Sequence, residues 1–271
     1  MTSKPFSELA KVYDLIFDEI EYDEWTQFTL ETLTRLGCTL EPDSHVLDLA
    51  CGTGSSSLPY LQRGFQVSGA DLSPEMLSVA RAKLPGVELF AQGFTELALP
   101  NRFDLISCVF DSLNNLTDPQ DLELAFARAF AHLNPGAWFV FDMNTPLGVQ
   151  ELWDDDRFEG EVIVNGDSIR FQWTHRYDSE SELGLVTARF GRRLEFLEEH
   201  AERGYWPWEL EPMLKRSGFR RIVFLEYPDS SLPTLDTPRV WCFAQKSKAK
   251  GERKVKSKSN AGQVFDFPFA L

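Results

Sequence analysis

Hydrophobic and polar positions change period several times along the chain, and each change marks an element. Leu9, Val12, Ile16 and Ile20 recur at helical spacing, and a second helical pattern covers residues 23–36. Short apolar runs then alternate with amphipathic stretches. VLDLA (46–50), FQVSGAD (65–71), VELFA (87–91), RFDLISCVF (102–110) and AWFVFDMN (137–144) read as strands. Residues 55–63, SPEMLSVARAKL (73–84) and DPQDLELAFARAFAHLN (118–134) read as helices. Ser73 and Pro74 give the second of these a start signal, and Pro135-Gly136 stops the third. The alternation predicts an α/β fold built on a doubly wound, mostly parallel sheet with helices on both faces.

After Pro146 the period drops to two. The stretch GEVIVNGDSIRFQWTHRYDSESELGLVTARFGRRLEFLEE carries a hairpin signal at Asn165-Gly166 and a second turn near residues 178–184. These are expected to be antiparallel strands inserted into the α/β unit. The earlier pattern then resumes with a helix over 206–219, closed by Gly218, and strands over 221–227 and 239–246. The predicted domain, residues 1–246, thus divides into N-terminal helices (1–37), a core (38–146), a β insertion (147–204) and the end of the core sheet (205–246). There are no internal repeats.

The 271 residues are 43% hydrophobic and 13% aromatic, ample for a packed core. No apolar run approaches the ~20 residues that span a bilayer. The opening residues, MTSKPFSELAKVYDLIF, lack the long apolar stretch of a signal peptide. Cys38, Cys51, Cys108 and Cys242 are scattered, without a CxxC pair or Cys/His clustering. Reduced thiols, no metal site and a cytoplasmic location are expected. The net charge of −15 is uneven: residues 246–258 hold seven bases against one acid, so that stretch contributes +6 and the remainder −21. So acidic a body repels a phosphate backbone and argues against a nucleic acid partner. The basic stretch is polar and aperiodic, so residues 247–271 read as a disordered tail, although its last residues, VFDFPFAL, are oily.

The run HVLDLACGTGSSS (45–57) carries the most specific chemistry. Doubly wound sheets bind ligands at the carboxyl ends of their strands, beside the first strand. Gly52 and Gly54 follow that strand, and Asp71 ends the second, placed to accept hydrogen bonds from ribose hydroxyls. Any nucleoside satisfies that much. Asp48 discriminates, because a carboxylate beside the loop disfavours a pyrophosphate, and Ser57 stands where a dinucleotide loop has its third glycine. A cation such as the ammonium of a methionine moiety suits Asp48, so S-adenosylmethionine fits better than NAD. The bland alternatives are a buried Asp48 that only ties down loop amides and a solvated Asp71.

VLDLACGTG, GADLSPEML and RFDLISCVFDSLNNL resemble the class I S-adenosylmethionine-dependent methyltransferase family, the likeness running over residues 13–245. Within it, the chain is similar to the small-molecule branch with an antiparallel insertion after strand five. The resemblance implies a Rossmann-like methyltransferase fold with a seven-stranded sheet, lidded by the N-terminal helices and the insertion. It implies that Asp48 and the backbone around Ala50, Gly52 and Gly54 hold the methionine portion, and that Asp71 binds ribose. Leu72 and Met76 would flank adenine, with Gly93 and Phe94 at its edge, although many members carry an acid where Phe94 stands. Tyr13 would close over the cofactor tail, and Phe110, just past the fourth strand, joins the cofactor set.

Methyl transfer from a sulfonium is an in-line displacement that needs alignment more than a dedicated catalytic group. Candidates near the methyl are therefore few. Asp111 would orient an amine or cap the helix that follows it. His175, on one face with Phe171, Trp173 and Tyr177, is either a base or a core histidine. Asn144 ends the fifth strand and points either to substrate or into a turn with Thr145-Pro146, Trp173 is a cleft wall or core, and Trp206 lines the cleft or staples a helix. The expected reaction is methylation of an amine or hydroxyl of a small molecule by a monomer or homodimer with no membrane or metal requirement. An RNA methyltransferase gripping through its tail, and a non-catalytic module binding S-adenosylmethionine, are the alternatives. An NAD oxidoreductase is a more distant one.

Overall fold

Strand and helix follow the predicted alternation, and the crossovers bring the strand tips to one edge. A computed structural model describes residues 4–152, 157–164 and 166–247. Asn165 of the hairpin signal, and the predicted tail beyond Ser247, lie outside the described residues. Strands β1 (His45–Leu49), β2 (Gln66–Asp71), β3 (Glu88–Ala91), β4 (Phe103–Cys108) and β5 (Leu133–Asn144) are parallel. A separate antiparallel sheet follows, of β6 (Arg157–Val164), β7 (Asp167–Asp178), β8 (Leu183–Gly191) and β9 (Phe196–Arg203). Finally β10 (Arg221–Leu225) and β11 (Arg239–Gln245) return to the first sheet, giving the order β10-β11-β5-β4-β1-β2-β3. β11 runs antiparallel to β5, pairing Arg239 with Asn144, so its first residue reaches the edge where β5 ends.

The helices are α1 (Tyr13–Ile16), α2 (Tyr22–Arg35), α3 (Leu58–Gln62), α4 (Pro74–Lys83), α5 (Pro119–His132), α6 (Pro146–Leu152) and α7 (Pro207–Ser217). Successive strand residues face opposite layers, as the pleat requires. Leu47, Ile106, Phe139 and Phe141 pack under α5 and α7 with Phe126, Leu210 and Leu214. Val46, Leu105, Trp138 and Val140 pack on the other face with Phe28 and Leu33 of α2 and Tyr60 of α3. By the same alternation Asp48 and Asp142 belong to this second face, beneath the start of α2. The caps follow the sequence: the Ser73 hydroxyl accepts from the Met76 N–H at 3.1 Å, and Gly218 ends α7 at φ +115°.

The N-terminal pattern departs from the single helix expected. It forms a 3-10 turn over Glu8–Lys11, then α1, with a break at Val12. Such short helices gain their stability from tertiary contacts. The buried Glu198 carboxylate of β9 accepts from the backbone N–H groups of Phe6, Glu8 and Leu9 at 2.7, 2.9 and 3.2 Å. Leu9 and Val12 pack with Trp173, Val186 and Phe190 of the antiparallel sheet. The two lid components are therefore one unit. α6 was not expected: Pro146 at its first position and the Thr145 hydroxyl, which accepts from the Gly148 N–H at 3.1 Å, form a start signal that reads in sequence as a turn.

Candidate active site

The tips of β1, β2, β4 and β5 form the site, and their backbone is unusual. Ala50 (φ +62°), Phe110 (+64°) and Asp111 (+46°) hold left-handed conformations just beyond β1 and β4. Each costs about 1–3 kcal/mol, strain that tends to persist where a site requires it. Gly52, at φ +53°, has no atom within 4 Å of where a Cβ would stand, leaving the loop wall open. Gly54 serves packing, because a Cβ there would meet Leu84 Cδ1 at 2.5 Å. Asp71 accepts from the N–H groups of Gly52 and Ser73, both at 2.8 Å, which aims its carboxylate along the loop. Burial raises its pKa and those two N–H groups pull it down.

Asp48 is 1% exposed. One of its oxygens accepts from the hydroxyls of Ser57 (2.6 Å) and Ser56 (2.7 Å), not from loop amides. Burial pushes its carboxyl up to about 6, against those two hydrogen bonds. A buried carboxylate without a cation is costly. Beside Asp71, Leu72 is 72% exposed, and a Cβ on Gly93 would touch its side chain at 3.2 Å. Met76 is buried, and Phe94 packs on the core from the partly buried layer. An adenosine with a cationic tail fits this set: an uncovered apolar side chain beside Asp71, an open glycine wall, and a buried acid lacking a positive partner among the described residues.

The N-terminal segment touches both halves of the edge. Asp14 accepts from Thr53 Oγ1 at 2.5 Å and Lys83 Nζ at 2.7 Å, tying α1 to the glycine loop and to α4. The Tyr13 hydroxyl is pushed well up by burial, then by Tyr22, Asp111, Asp71 and Asp14. Tyr22 is raised by burial, then by Asp48, Asp14, Asp111 and Asp142. The two tyrosines thus stand between the Asp48/Asp71 side and a second group of acids. Phe110 sits among Phe17, Tyr22 and Trp25, with ring centroids 5.8, 6.4 and 6.0 Å away.

That second group was largely missed in the sequence. Asp111 does not cap the helical turn Ser112–Asn115, correcting that reading. Its carboxylate instead accepts from Asn144 Nδ2 at 2.7 Å. Asn144 is fully buried and fixed by Asn114, whose Oδ1 accepts from its N–H at 3.0 Å. Asp142 is fully buried and accepts from Arg239 Nε at 2.6 Å, while the Asp111 N–H donates to it at 3.1 Å. Arg239 lies over Trp25 and Phe110, 5.2 and 5.9 Å from the ring centroids. Glu202, near the end of β9, is pushed well up by burial and Asp111, with Arg239 opposing and Asp142 adding. An acid in the apolar run AWFVFDMN was the available signal for Asp142, by the same argument that singles out Asp48. Arg239 and Glu202 had none, because only tertiary structure brings them to this edge.

Three weaker candidates belong elsewhere. Trp173 is buried in the lid core, edge-on to Phe17 at 5.5 Å. His175 stacks on Phe158 at 6.0 Å, within the lid sheet. Trp206 stacks on Trp208 at 4.7 Å, and its N–H donates to Glu209 at 2.8 Å, starting α7. No helix among the described residues is long and apolar enough to cross a membrane.

Comparison with known proteins agrees with this geometry. A family profile described as a methyltransferase domain matches residues 46–136. YqeM of Bacillus subtilis (strain 168), a protein named as a methyltransferase, is 30% identical over 254 residues, covering 90% of this chain and 98% of its own. A dTDP-3-amino-3,6-dideoxy-alpha-D-glucopyranose N,N-dimethyltransferase of Streptomyces fradiae is 32% identical over 161 residues, 59% of each chain. The crystal structure of an S-adenosylmethionine-dependent methyltransferase from Clostridium acetobutylicum ATCC 824 superposes with a TM-score of 0.72 at 28% identity, covering 89% of this chain and 98% of that one. The chain belongs to the class I S-adenosylmethionine-dependent methyltransferases.

Proposed function

We propose that this enzyme methylates an amine or hydroxyl of a small molecule. The observation that carries the reading is the lid: two short helical turns, clasped by Glu198 and pinned to the loop through Asp14, roof the strand tips. A cleft so covered suits a compact acceptor. The acidic body disfavours a polyanion, and the Streptomyces fradiae relative is named for a sugar-nucleotide amine.

On this reading Asp48 meets the ammonium of the methionine portion, with backbone of Ala50, Gly52 and Gly54 alongside. Asp71 takes the ribose hydroxyls, Leu72, Gly93 and Phe94 border adenine above Met76, and Tyr13 and Phe110 close the site. S-adenosylmethionine supplies an electrophilic methyl group, and the chain supplies alignment and exclusion of water, a contribution of about 7–11 kcal/mol for well-oriented partners. Incubation with methyl-labelled cofactor and separated small-molecule, RNA and protein fractions of a cell extract tests it. Label is expected in small molecules. Label confined to RNA, with salt-sensitive binding, would refute the reading.

A further inference from the structure

The acids on the far side of the site specify what kind of small molecule enters, an inference that rests on the reading above. We propose that Glu202, together with the side-chain oxygen of Asn144, receives a protonated amine, and that Glu202 takes the proton this nitrogen must lose before it is methylated.

The charge balance is the first support. Among the described residues, Asp111, Asp142 and Glu202 share one field with a single cation, Arg239. Arg239 is already committed, ion-paired to Asp142 and 3.9 Å from Asp111. Two acids remain for one unmet positive charge or more. No group of three or more His, Cys, Asp or Glu among the described residues is spaced to hold a metal ion. An organic cation is what is left. Beside a neutral hydroxyl or carbon acceptor Glu202 would hold its own proton and could not act as a base.

Unmet hydrogen bonds are the second, independent support. Glu202 Oε2, Asn144 Oδ1 and Asp142 Oδ1 are buried, and none has a hydrogen-bond partner among the described residues. Asn144 and Asp142 are both 0% exposed. All three atoms are acceptors, against one open donor in the same group, Arg239 Nη2, which already ion-pairs with Asp142. Buried acceptors left open cost about 1–3 kcal/mol each, so a donor-rich guest is favoured. An ammonium carries three N–H donors and no acceptor.

The backbone holds this arrangement rigidly. Asn114 Nδ2 donates to the carbonyls of Asn144 (3.0 Å) and Arg203 (2.7 Å), joining β5 to β9. The Tyr205 N–H donates to the same Asn144 carbonyl at 3.3 Å, and a Cβ on Gly204 would stand 2.5 Å from the Thr145 carbonyl. Glu202 is thereby fixed beside the end of β5. On β9 its own face also carries His200 and Glu198, of which His200 is held neutral by burial, down to about 4, and Glu198 is engaged by the N-terminal turn. Burial beside two other acids raises the proton affinity of Glu202, and an ammonium bound against it keeps the carboxylate ionised until the proton is passed. One N–H bond of the ammonium breaks and its proton passes to the Glu202 carboxylate. The freed lone pair forms the N–C bond to the methyl group while the C–S bond breaks, its electrons remaining on sulfur.

Methyl-labelled cofactor and a small-molecule extract, followed by mass spectrometry of the labelled product, test the proposal. An N-methyl product is expected, with kcat/KM for Glu202→Gln lowered by about 100-fold, cofactor Kd within twofold of the parent, and the acidic limb of the pH profile lost. Glu202→Asp is expected to retain measurable turnover. An O-methyl or C-methyl product overturns the inference and leaves the small-molecule reading intact. No labelled small molecule overturns both. An N-methyl product with Glu202→Gln at full kcat/KM overturns the role of Glu202. Product identity is read on the parent enzyme, so the test stands even if a variant fails to fold.

Discussion

Asp48→Asn separates what Asp48 does for the fold from what it does for the cofactor. The carboxyl rises from an ordinary 3.8 to about 6 because it is buried, and two serine hydroxyls only partly compensate. Between those two values the unfolded chain releases a proton that the folded chain keeps. Stability therefore falls as pH rises from about 4 to 6, and above that the cost levels at about 3 kcal/mol, at 1.36 kcal/mol per tenfold shift. Asparagine keeps the shape and one acceptor oxygen for Ser56 and Ser57, without the charge. The cofactor-free variant should match the parent at pH 4 and exceed it by up to about 3 kcal/mol at pH 7.5. For a chain of this size that is a melting temperature about 6–12 °C higher. Cofactor affinity should move the other way, losing about 1.5–3 kcal/mol of charge-assisted binding. The parent's affinity should strengthen between pH 5 and 7, and the variant's should not. Thermal unfolding without cofactor, and calorimetric titration with it, read both quantities. A variant less stable at pH 7.5 whose cofactor affinity is unchanged would make Asp48 a fixed structural acid and refute the reasoning.

Asp71→Asn should weaken S-adenosylmethionine binding by about 1–3 kcal/mol, and unchanged affinity in calorimetry would contradict the ribose role. Gly204→Ala should destabilise by about 1–3 kcal/mol, since its Cβ would press on the backbone of Thr145 and Pro146 at 2.5 Å; denaturant unfolding indistinguishable from the parent would show that the joint between β9 and β5 yields. Asp14→Asn removes a partly exposed ion pair with Lys83, so global stability should change by less than about 1 kcal/mol. Hydrogen exchange of residues 8–17 should nevertheless quicken, and unaltered exchange would mean that the Glu198 clasp alone holds the lid.

The parallel half of the fold was legible because apolar strand runs and period-3.6 segments alternate cleanly and Ser73, Pro135-Gly136 and Gly218 mark helix ends. The N-terminal turns were not, because Leu9, Val12 and Ile16 keep helical spacing while the chain bends to serve the Glu198 carboxylate 189 residues away from Leu9. The residues proposed for the cofactor were marked in the sequence as well, since Asp48 and Asp71 lie on neighbouring strands with Gly52 in the loop between, and local spacing sets their relation. The acceptor half was not. Arg239 reaches it only because β11 runs antiparallel, and Glu202 only because Asn114 and Gly204 seat the end of β9 against β5.

Asp48 and Asp142 lie on the same face of the sheet, on β1 and β5 with β4 between, about 10 Å apart at the usual strand spacing. The chain treats them differently. Asp142 is paired with Arg239, whereas Asp48 has only hydroxyls and waits for a cation from outside. With an effective dielectric of about 20, cations held at the two acids would repel by about 1.7 kcal/mol, against about 4 kcal/mol gained by each at 4 Å from a carboxylate. On the proposed reading an acceptor held at Glu202 and Asn144, at a similar distance from Asp48, enters charged while the cofactor is bound. Transfer brings its nitrogen up to the sulfonium itself, where the same estimate puts repulsion near 4 kcal/mol. At that range the repulsion cancels the attraction, and the proton moves to a base with unmet capacity. On the proposed reading that base is Glu202, whose Oε2 is buried without a partner among the described residues and whose proton affinity is raised by burial and then by Asp111. The surplus of acids thus admits a cationic acceptor and then neutralises it, and no further catalytic group is required.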